Sequence, residues 1–144
     1  VSDKKGYRYT ALDPSTGLPW QPMPASFIAL ASAAAAQGGY ANFVPDACLI
    51  NQYQPAARMS LHQDKDEQDF NQPIVSVSLG VPALFLFGGA KRSNKTSKIL
   101  LQHGDVIVWG GKARLNYHGV TPLKVDSHKA FGACRINLTF RKAA

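Results

Sequence analysis

The stretch that decides the fold is PIVSVSLGVPALFLFGG, residues 73–89. It contains two short runs of β-branched, leucine and phenylalanine residues, PIVSVSLG and ALFLFG, separated by a turn that contains proline. Runs of this length and composition, bounded by glycine and proline, are typical of β-strands. The middle of the chain is therefore predicted to be β-structure.

The same pattern extends on both sides of this stretch. Similar runs follow one another from residue 44 onward, with Gly, Pro and Asp between them: ACLINQY, KILLQH, DVIVWG, LNYHGV and CRINLTF. Helical patterns do not alternate with these runs, so a parallel α/β sheet is not expected. The predicted architecture is a β-sandwich or barrel of largely antiparallel strands.

One helix is predicted upstream of the strands. The segment ASFIALASAAAAQ, residues 25–37, is rich in alanine, which is the strongest helix former. Pro24 suits a helix start, and Gly38–Gly39 suits a helix end. We expect this helix to pack on the outside of the β core, which makes the fold mainly β, of the α+β class.

Composition limits the possible function classes. The chain has 144 residues, of which 45% are hydrophobic and 17% charged, as is typical of a folded globular protein. We predict a single domain over residues 1–144. No run approaches the ~20 apolar residues of a membrane helix, and the N-terminus lacks a signal-peptide core, so a cytoplasmic protein is predicted.

Cys48 and Cys134 form no CxxC pair and are expected to be free thiols.

The net charge of +7 indicates a partner of opposite charge. Nucleic acid is the commonest polyanion in the cytoplasm, although a solvated basic surface without a partner explains the charge equally well. The segment GGAKRSNKTSK, residues 88–98, places four basic side chains among Gly, Ser, Asn and Thr. An exposed loop of this kind can neutralise phosphates without reading the base sequence.

The run RINLTFR, residues 135–141, has two unlike faces because side chains alternate along a strand. One face is apolar, and the other carries Arg135, Asn137, Thr139 and Arg141. Taken alone, the strand favours a solvent-exposed polar face, as in many antiparallel sheets. The alternative is that this face lines a polar cavity and receives an anionic ligand. In ACLINQY, Asn51 and Tyr53 likewise share a face.

The strongest chemical signal is SLHQDKDE, residues 60–67, together with NYHG, residues 116–119. His62 and Asp64 are two residues apart, so in an extended chain both side chains project to the same side and can bind one metal ion. His118 would complete a set of two imidazoles and one carboxylate. This set leaves open positions for a co-substrate and dioxygen, which is why non-heme iron oxygenases use it.

Other interpretations of these residues stay open at this point. His-x-Asp occurs by chance, and the charged segment around it is typical of a solvated loop. A zinc hydrolase could use the same ligands around an activated water. A basic nucleic-acid-binding module would use none of them. The polar strand that follows His118 favours the oxygenase, because a dianionic oxoacid needs a metal chelate and also an arginine for its far carboxylate.

Four motifs carry a family resemblance that covers the chain from about Tyr7 to Arg141. They are NQYQPAARMSLHQDKDE, PIVSVSLGVPALFLFGG, HGDVIVWGGKARLNYHGV and CRINLTFR. Together they resemble the AlkB family of Fe(II)- and 2-oxoglutarate-dependent dioxygenases, which repair alkylated DNA and RNA. The resemblance implies a double-stranded β-helix, or jelly roll.

The resemblance also implies roles for individual residues. His62, Asp64 and His118 match the iron ligands. Arg135 matches the arginine that pairs with the distal carboxylate of 2-oxoglutarate. The groups expected near 2-oxoglutarate are Asn51 and Tyr53 beside that carboxylate, and Asn137 and Arg141 at the end that chelates iron.

For the substrate, the resemblance implies an N-alkylated base such as 1-methyladenine or 3-methylcytosine. Tyr7, Asp66 and Arg92 match positions that line the base pocket. We expect a monomer that acts on alkylated DNA or RNA, with single strands preferred. Members of the family usually carry an additional N-terminal lid that grips the nucleic acid, and we expect residues 1–144 to lack it.

Overall fold

Two four-stranded antiparallel sheets face each other in the computed structural model, which describes all residues 1–144. A small two-stranded sheet precedes them. The elements are β1 Ser2–Asp3, β2 Gly6–Tyr7, α1 Ala25–Gln37, β3 Ala47–Tyr53, β4 Met59–His62, β5 Ile74–Gly80, β6 Ala83–Phe87, β7 Ser97–Leu101, β8 Val106–Trp109, a 3₁₀ turn Gly111–Ala113, β9 His118–Val120 and β10 Arg135–Arg141.

The chain crosses repeatedly between the two large sheets. The first, which we call the helix-side sheet, has the order β3-β10-β5-β8, and the second, the opposite sheet, has the order β4-β9-β6-β7. Strands that follow one another in sequence therefore alternate between sheets, except for the hairpin β6–β7. This is the double-stranded β-helix that the family resemblance implied, so that expectation is confirmed.

The predicted helix is confirmed with its bounds, Ala25–Gln37. Pro24 is the N-cap residue, and Gly39 follows the C-cap with φ +95°, a conformation that glycine adopts without strain. A helix of 13 residues is marginal in isolation. Packing therefore stabilises it: Ala31 and Ala35 are fully buried, and Phe27 meets Phe140 edge-to-face at 5.9 Å.

The helix-side sheet is covered on both of its faces. Its outer face contributes Val75, Val77, Leu138 and Phe140 to a core that it shares with α1. Its inner face looks toward the opposite sheet, and the apolar core between the sheets includes Ile74, Phe85, Trp109, Val120 and Leu123. Residues of β5 are consequently buried almost without interruption.

Because the helix-side sheet is buried on both faces, the solvent-exposed polar face that the pattern of β10 favoured when taken alone is wrong. The polar side chains of β10 do not face solvent, because the opposite sheet covers them: Arg135, Asn137, Thr139 and Arg141 are each at most 7% exposed. β10 also pairs with β3 on one side and with β5 on the other. The polar face of β10 therefore lies in the interior.

Two other differences from the sequence-based expectations concern the bounds of β9 and the charged segment that follows β4. The run LNYHGV forms a strand only over His118–Val120, because residues 114–115 form a turn directly after the 3₁₀ segment, and the Asn116 amide donates to Ala113 O at 2.9 Å. The segment after β4 is not simply a solvated loop, since Asp64 and Glu67 are buried there.

Cys48 and Cys134 are unpaired and half-buried, as predicted. Burial raises the pKa of the Cys48 thiol to about 11.

The structure contains no helix of sufficient length and apolarity to cross a membrane.

Candidate functional site

Three predicted ligands meet where β4 and β9 run side by side. His62 ends β4, His118 begins β9, and the two residues are paired across the strands. Asp64 follows β4 by two residues. The candidate ligand atoms all lie within 4.8 Å of one another, and the Asp64 oxygens are 3.8 Å from His62 Nε2 and 3.9 Å from His118 Nε2. The geometry suits one cation held by all three.

Close approach of β4 and β9 brings the two imidazoles together. A side chain at position 119 would place its Cβ only 2.7 Å from Met59 O, so Gly119 permits this spacing. The pairing is also irregular between Met59 and His62, as in a β-bulge, which is common beside active sites. The ring centroids of His62 and His118 are consequently 4.4 Å apart.

Hydrogen bonds orient both imidazoles for metal binding. His62 Nδ1 donates to Ser60 O at 2.8 Å, and His118 Nδ1 donates to Asn116 O at 3.1 Å. Because a carbonyl can only accept, Nδ1 carries a proton, and in the neutral imidazole the lone pair is then on Nε2, the nitrogen nearer Asp64. Burial lowers the pKa of His118, which favours the neutral form that a metal requires.

Two arginines hold Asp64. Arg141 donates from Nε and from its terminal nitrogen Nη2 to Asp64 Oδ2, at 3.0 and 2.9 Å. Burial alone would lower the pKa of Arg141, but the adjacent Asp64 carboxylate raises it above its ordinary value. Arg114 Nη1 donates to the backbone oxygen of Asp64 at 2.7 Å. The carboxylate is therefore fixed beside both histidines.

A small cavity of about 60 Å³ lies between the sheets next to this centre. Both candidate histidines line it, and so do all five residues that the sequence assigned to 2-oxoglutarate: Asn51, Tyr53, Arg135, Asn137 and Arg141. The sequence did not single out several further lining residues, among them Met59, Ser76 and Trp109. The structure thus brings the metal residues and the polar strand face into one site.

Among the side chains that line this cavity, Arg135 has the most buried polar atoms without a hydrogen-bond partner. It is 1% exposed, and its only hydrogen bond to a side chain runs from Nη2 to Ser78 Oγ at 3.0 Å. Its Nε and Nη1 atoms have no partner, although the guanidinium lies over the Tyr53 ring at 5.0 Å. Burial lowers the pKa of Arg135, since no carboxylate compensates its charge. A buried cation with two unpartnered nitrogens suits a carboxylate ligand, which can pair with Nη2 and either of them along one edge of the guanidinium.

Asn137 is engaged with the protein. Its Nδ2 donates to Ser76 Oγ at 2.7 Å and to Val77 O at 3.1 Å, and its Oδ1 accepts from Thr139 Oγ1 at 2.7 Å. Both amide hydrogens are therefore used. Asn137 orders the polar wall of the cavity, and a ligand would meet its oxygen or displace one of these partners.

The three predicted substrate residues do not line the cavity. Tyr7, Asp66 and Arg92 are exposed. Arg92 donates to the backbone oxygen of Leu61, next to His62, and lies over the Tyr117 ring at 5.0 Å. These side chains lie at the surface, outside the polar cavity.

Sequence reasoning missed a second buried carboxylate and its partners. Glu67 is 6% exposed and accepts from Arg114 at 2.9 Å and from the Tyr9 hydroxyl at 2.5 Å. Burial raises the pKa of Tyr9. Within DKDE nothing distinguishes Glu67 from its exposed neighbours, and Arg114 looks like an ordinary loop cation. No local signal could have identified this pair.

Comparison with known proteins supports the chemistry that this geometry suggests. A family model described as the 2OG-Fe(II) oxygenase superfamily matches residues 1–141. Alpha-ketoglutarate-dependent dioxygenase AlkB from Salmonella typhimurium is 57% identical over 144 residues, which cover 100% of this chain and 67% of that protein. AlkB from Escherichia coli is 57% identical over 143 residues, 99% of this chain and 66% of that protein.

A solved structure is also similar. The structure of OsALKBH1 aligns with a TM-score of 0.79 and 33% identity, covering 94% of this chain and 71% of that one. This chain spans about two thirds of the length of the two AlkB proteins.

Proposed function

Since this chain belongs to the AlkB family of 2-oxoglutarate- and Fe(II)-dependent dioxygenases, we propose that it oxidatively demethylates N-alkylated bases in DNA or RNA. Bases of the 1-methyladenine and 3-methylcytosine type are the proposed substrates, and formaldehyde, succinate and carbon dioxide the products. One observation carries the proposal: His62 and His118 of the His-Asp-His cluster line the same cavity as Arg135, a buried arginine with two nitrogens that have no partner. Neither a zinc hydrolase nor a non-catalytic module needs that combination.

The donor set fits Fe(II). Two neutral imidazole nitrogens and one carboxylate form a three-ligand set of the kind used by non-heme iron oxygenases. We propose His62, Asp64 and His118 as the ligands. When bound, the iron and 2-oxoglutarate would together use dioxygen to oxidise an unactivated methyl carbon, one oxygen atom going to that carbon and the other to succinate, an oxidation that acid–base catalysis by side chains cannot provide.

The cavity residues are proposed to bind and orient 2-oxoglutarate. Arg135 would take the distal carboxylate through Nη2, which has a second hydrogen, and one of its two unpartnered nitrogens, and Tyr53 and Asn51 lie on the same cavity wall. At the other end Arg141, fixed on Asp64, and Asn137 would face the carboxylate nearest the metal. Apolar neighbours such as Trp109 and Phe85 limit the entry of water.

A base must leave its stack to reach this interior site. We propose that Tyr7, Asp66 and Arg92 contact the extruded nucleotide at the mouth of the site. A tyrosine ring can stack on a base, and the Asp66 carboxylate can accept a hydrogen bond from an exocyclic amine. Arg92 is well placed for this role because it is anchored to Leu61 O, one residue from His62.

Single-stranded nucleic acid is the proposed preferred form, because an unpaired base costs less to extrude. We also propose that residues 1–144 form one catalytic domain and that the protein acts as a cytoplasmic monomer.

Purified protein with Fe(II), 2-oxoglutarate and a 1-methyladenine oligonucleotide is expected to release one formaldehyde for each base repaired. Anaerobic addition of Fe(II) and 2-oxoglutarate should also produce a weak visible charge-transfer band. The matched control is an unmethylated oligonucleotide of the same sequence. Absence of both the band and formaldehyde would refute the proposal, whereas a band without formaldehyde would refute only the substrate.

The basic segment, residues 91–98, which runs from the loop after β6 into the start of β7, is expected to contact phosphates. Affinity for nucleic acid falls as salt rises, so a plot of log affinity against log salt has a negative slope. Replacing Lys91, Lys95 and Lys98 with alanine should make this slope less steep by about 0.7 for each lysine that neutralises a phosphate of a single strand, or roughly 2 in all. Fluorescence anisotropy over a series of salt concentrations measures this slope. The control replaces Lys124 and Lys129, which are exposed outside the basic segment. Equal slopes in the two variants would contradict a specific role for the basic segment.

A further inference from the structure

Arg114 is buried at the end of the 3₁₀ segment, where it is 2% exposed. All three of its nitrogens donate to the segment between β4 and β5. Nε bonds Gln72 O at 2.9 Å, Nη1 bonds Asp64 O at 2.7 Å, and Nη2 bonds Glu67 at 2.9 Å. One side chain therefore connects the beginning, middle and end of that segment.

Residues 63–73 form no helix or strand, although they include the carboxylate of the candidate metal centre. The backbone of Asp64 consequently lacks the strand pairing that fixes His62 and His118. Arg141 orients its side chain, but Arg141 is on β10 and does not contact the Asp64 main chain by any hydrogen bond. The Arg114 bond to Asp64 O supplies the missing restraint.

We propose that Arg114 is a positioning residue that holds the Asp64 backbone so that its carboxylate stays within reach of a metal on His62 and His118. The inference rests on the proposed metal centre. Arg114 acts through Asp64, because it makes no hydrogen bond to the candidate histidines and does not line the cavity.

The surroundings of Arg114 explain why an arginine is needed here. Glu67 balances its charge, and the Phe70 ring packs over the guanidinium at 5.5 Å. Three acceptors in different directions match the planar fork of an arginine, whereas a lysine ammonium would reach fewer of them. Glu67 also lies 3.6 Å from Arg141, so the same carboxylate faces both arginines that hold Asp64.

The test measures metal affinity, separately from activity and stability. Free Mn²⁺ is counted by its electron paramagnetic resonance signal as the ion is titrated into wild-type protein, Glu67→Gln, and the double variant Arg114→Met/Glu67→Gln. Removing both charges avoids leaving a buried carboxylate without a partner. We expect the double variant to bind Mn²⁺ 10–100-fold more weakly than Glu67→Gln, the range typical of residues that orient metal ligands.

Kinetics and matched variants distinguish positioning from a purely structural role. At saturating Fe(II) the KM for 2-oxoglutarate should change less than about twofold, while the Fe(II) requirement rises in parallel with the Mn²⁺ constant. Lys112→Ala, an exposed change in the same 3₁₀ segment, should bind Mn²⁺ as wild type does. If the double variant does not fold, the same Mn²⁺ titration is made with Arg114→Lys. We expect that variant to bind Mn²⁺ at least severalfold more weakly than wild type.

The outcomes separate the two ideas. Wild-type protein that binds no Mn²⁺ would refute the proposed metal centre itself. Wild-type binding together with equal affinity in Glu67→Gln and the double variant would overturn the role of Arg114, and so would unchanged affinity in Arg114→Lys where that variant carries the test.

Discussion

Asp64→Ala is expected to abolish 2-oxoglutarate turnover. The change removes the only anionic ligand of the proposed metal centre and leaves two imidazoles, which hold Fe(II) weakly. It also deprives Arg141 of its nearest carboxylate, although Glu67 remains 3.6 Å away and limits the loss of stability. We therefore expect a largely intact fold. Succinate release measures turnover, and thermal unfolding followed by circular dichroism checks the fold.

The matched control for this variant is Asp69→Ala. Asp69 belongs to the same loop, is exposed, and bonds only Asn71 and Gln72 beside it. It should turn over 2-oxoglutarate at the wild-type rate. Normal turnover by Asp64→Ala with iron would show that the ligand assignment is wrong.

Local pattern was sufficient to predict most of the fold. The β-branched runs predicted the strands β3, β5, β6 and β8 to within two residues, and the alanine-rich run predicted the helix to the residue. These elements have strong intrinsic preferences and clear end signals at glycine and proline. β9 was predicted too long because a turn and a strand share LNYHGV, and only tertiary pairing with β4 and β6 separates them.

The site was predictable only where chemistry has a sequence spacing. His62 and Asp64 stand two apart, and the polar residues of β10 alternate, so both sets could be found. Burial was not predictable, because an alternating strand looks the same whether its polar face meets water or a second sheet. Glu67 and Arg114 are 47 residues apart and pair only in the folded chain. Such long-range ion pairs leave no local pattern.

Arg135→Lys is expected to raise the KM for 2-oxoglutarate by roughly 10–100-fold. Hydrogen bonds to charged groups contribute about 1.5–3 kcal/mol, and the substitution removes one arm of a bidentate pair in a buried site. Lysine also presents a point charge that prefers hydration, and this cavity has little room for water. Initial rates of succinate formation over a range of 2-oxoglutarate concentrations give KM and kcat separately.

Arg58→Lys provides the control for Arg135→Lys, since Arg58 is exposed and does not line the cavity. Its KM for 2-oxoglutarate should equal that of wild type. Mn²⁺ affinity without 2-oxoglutarate should be unchanged in Arg135→Lys, because the guanidinium contacts none of the candidate ligands. A higher KM with normal metal affinity therefore assigns the missing interaction to the co-substrate. An unchanged KM would mean that Arg135 does not bind the distal carboxylate.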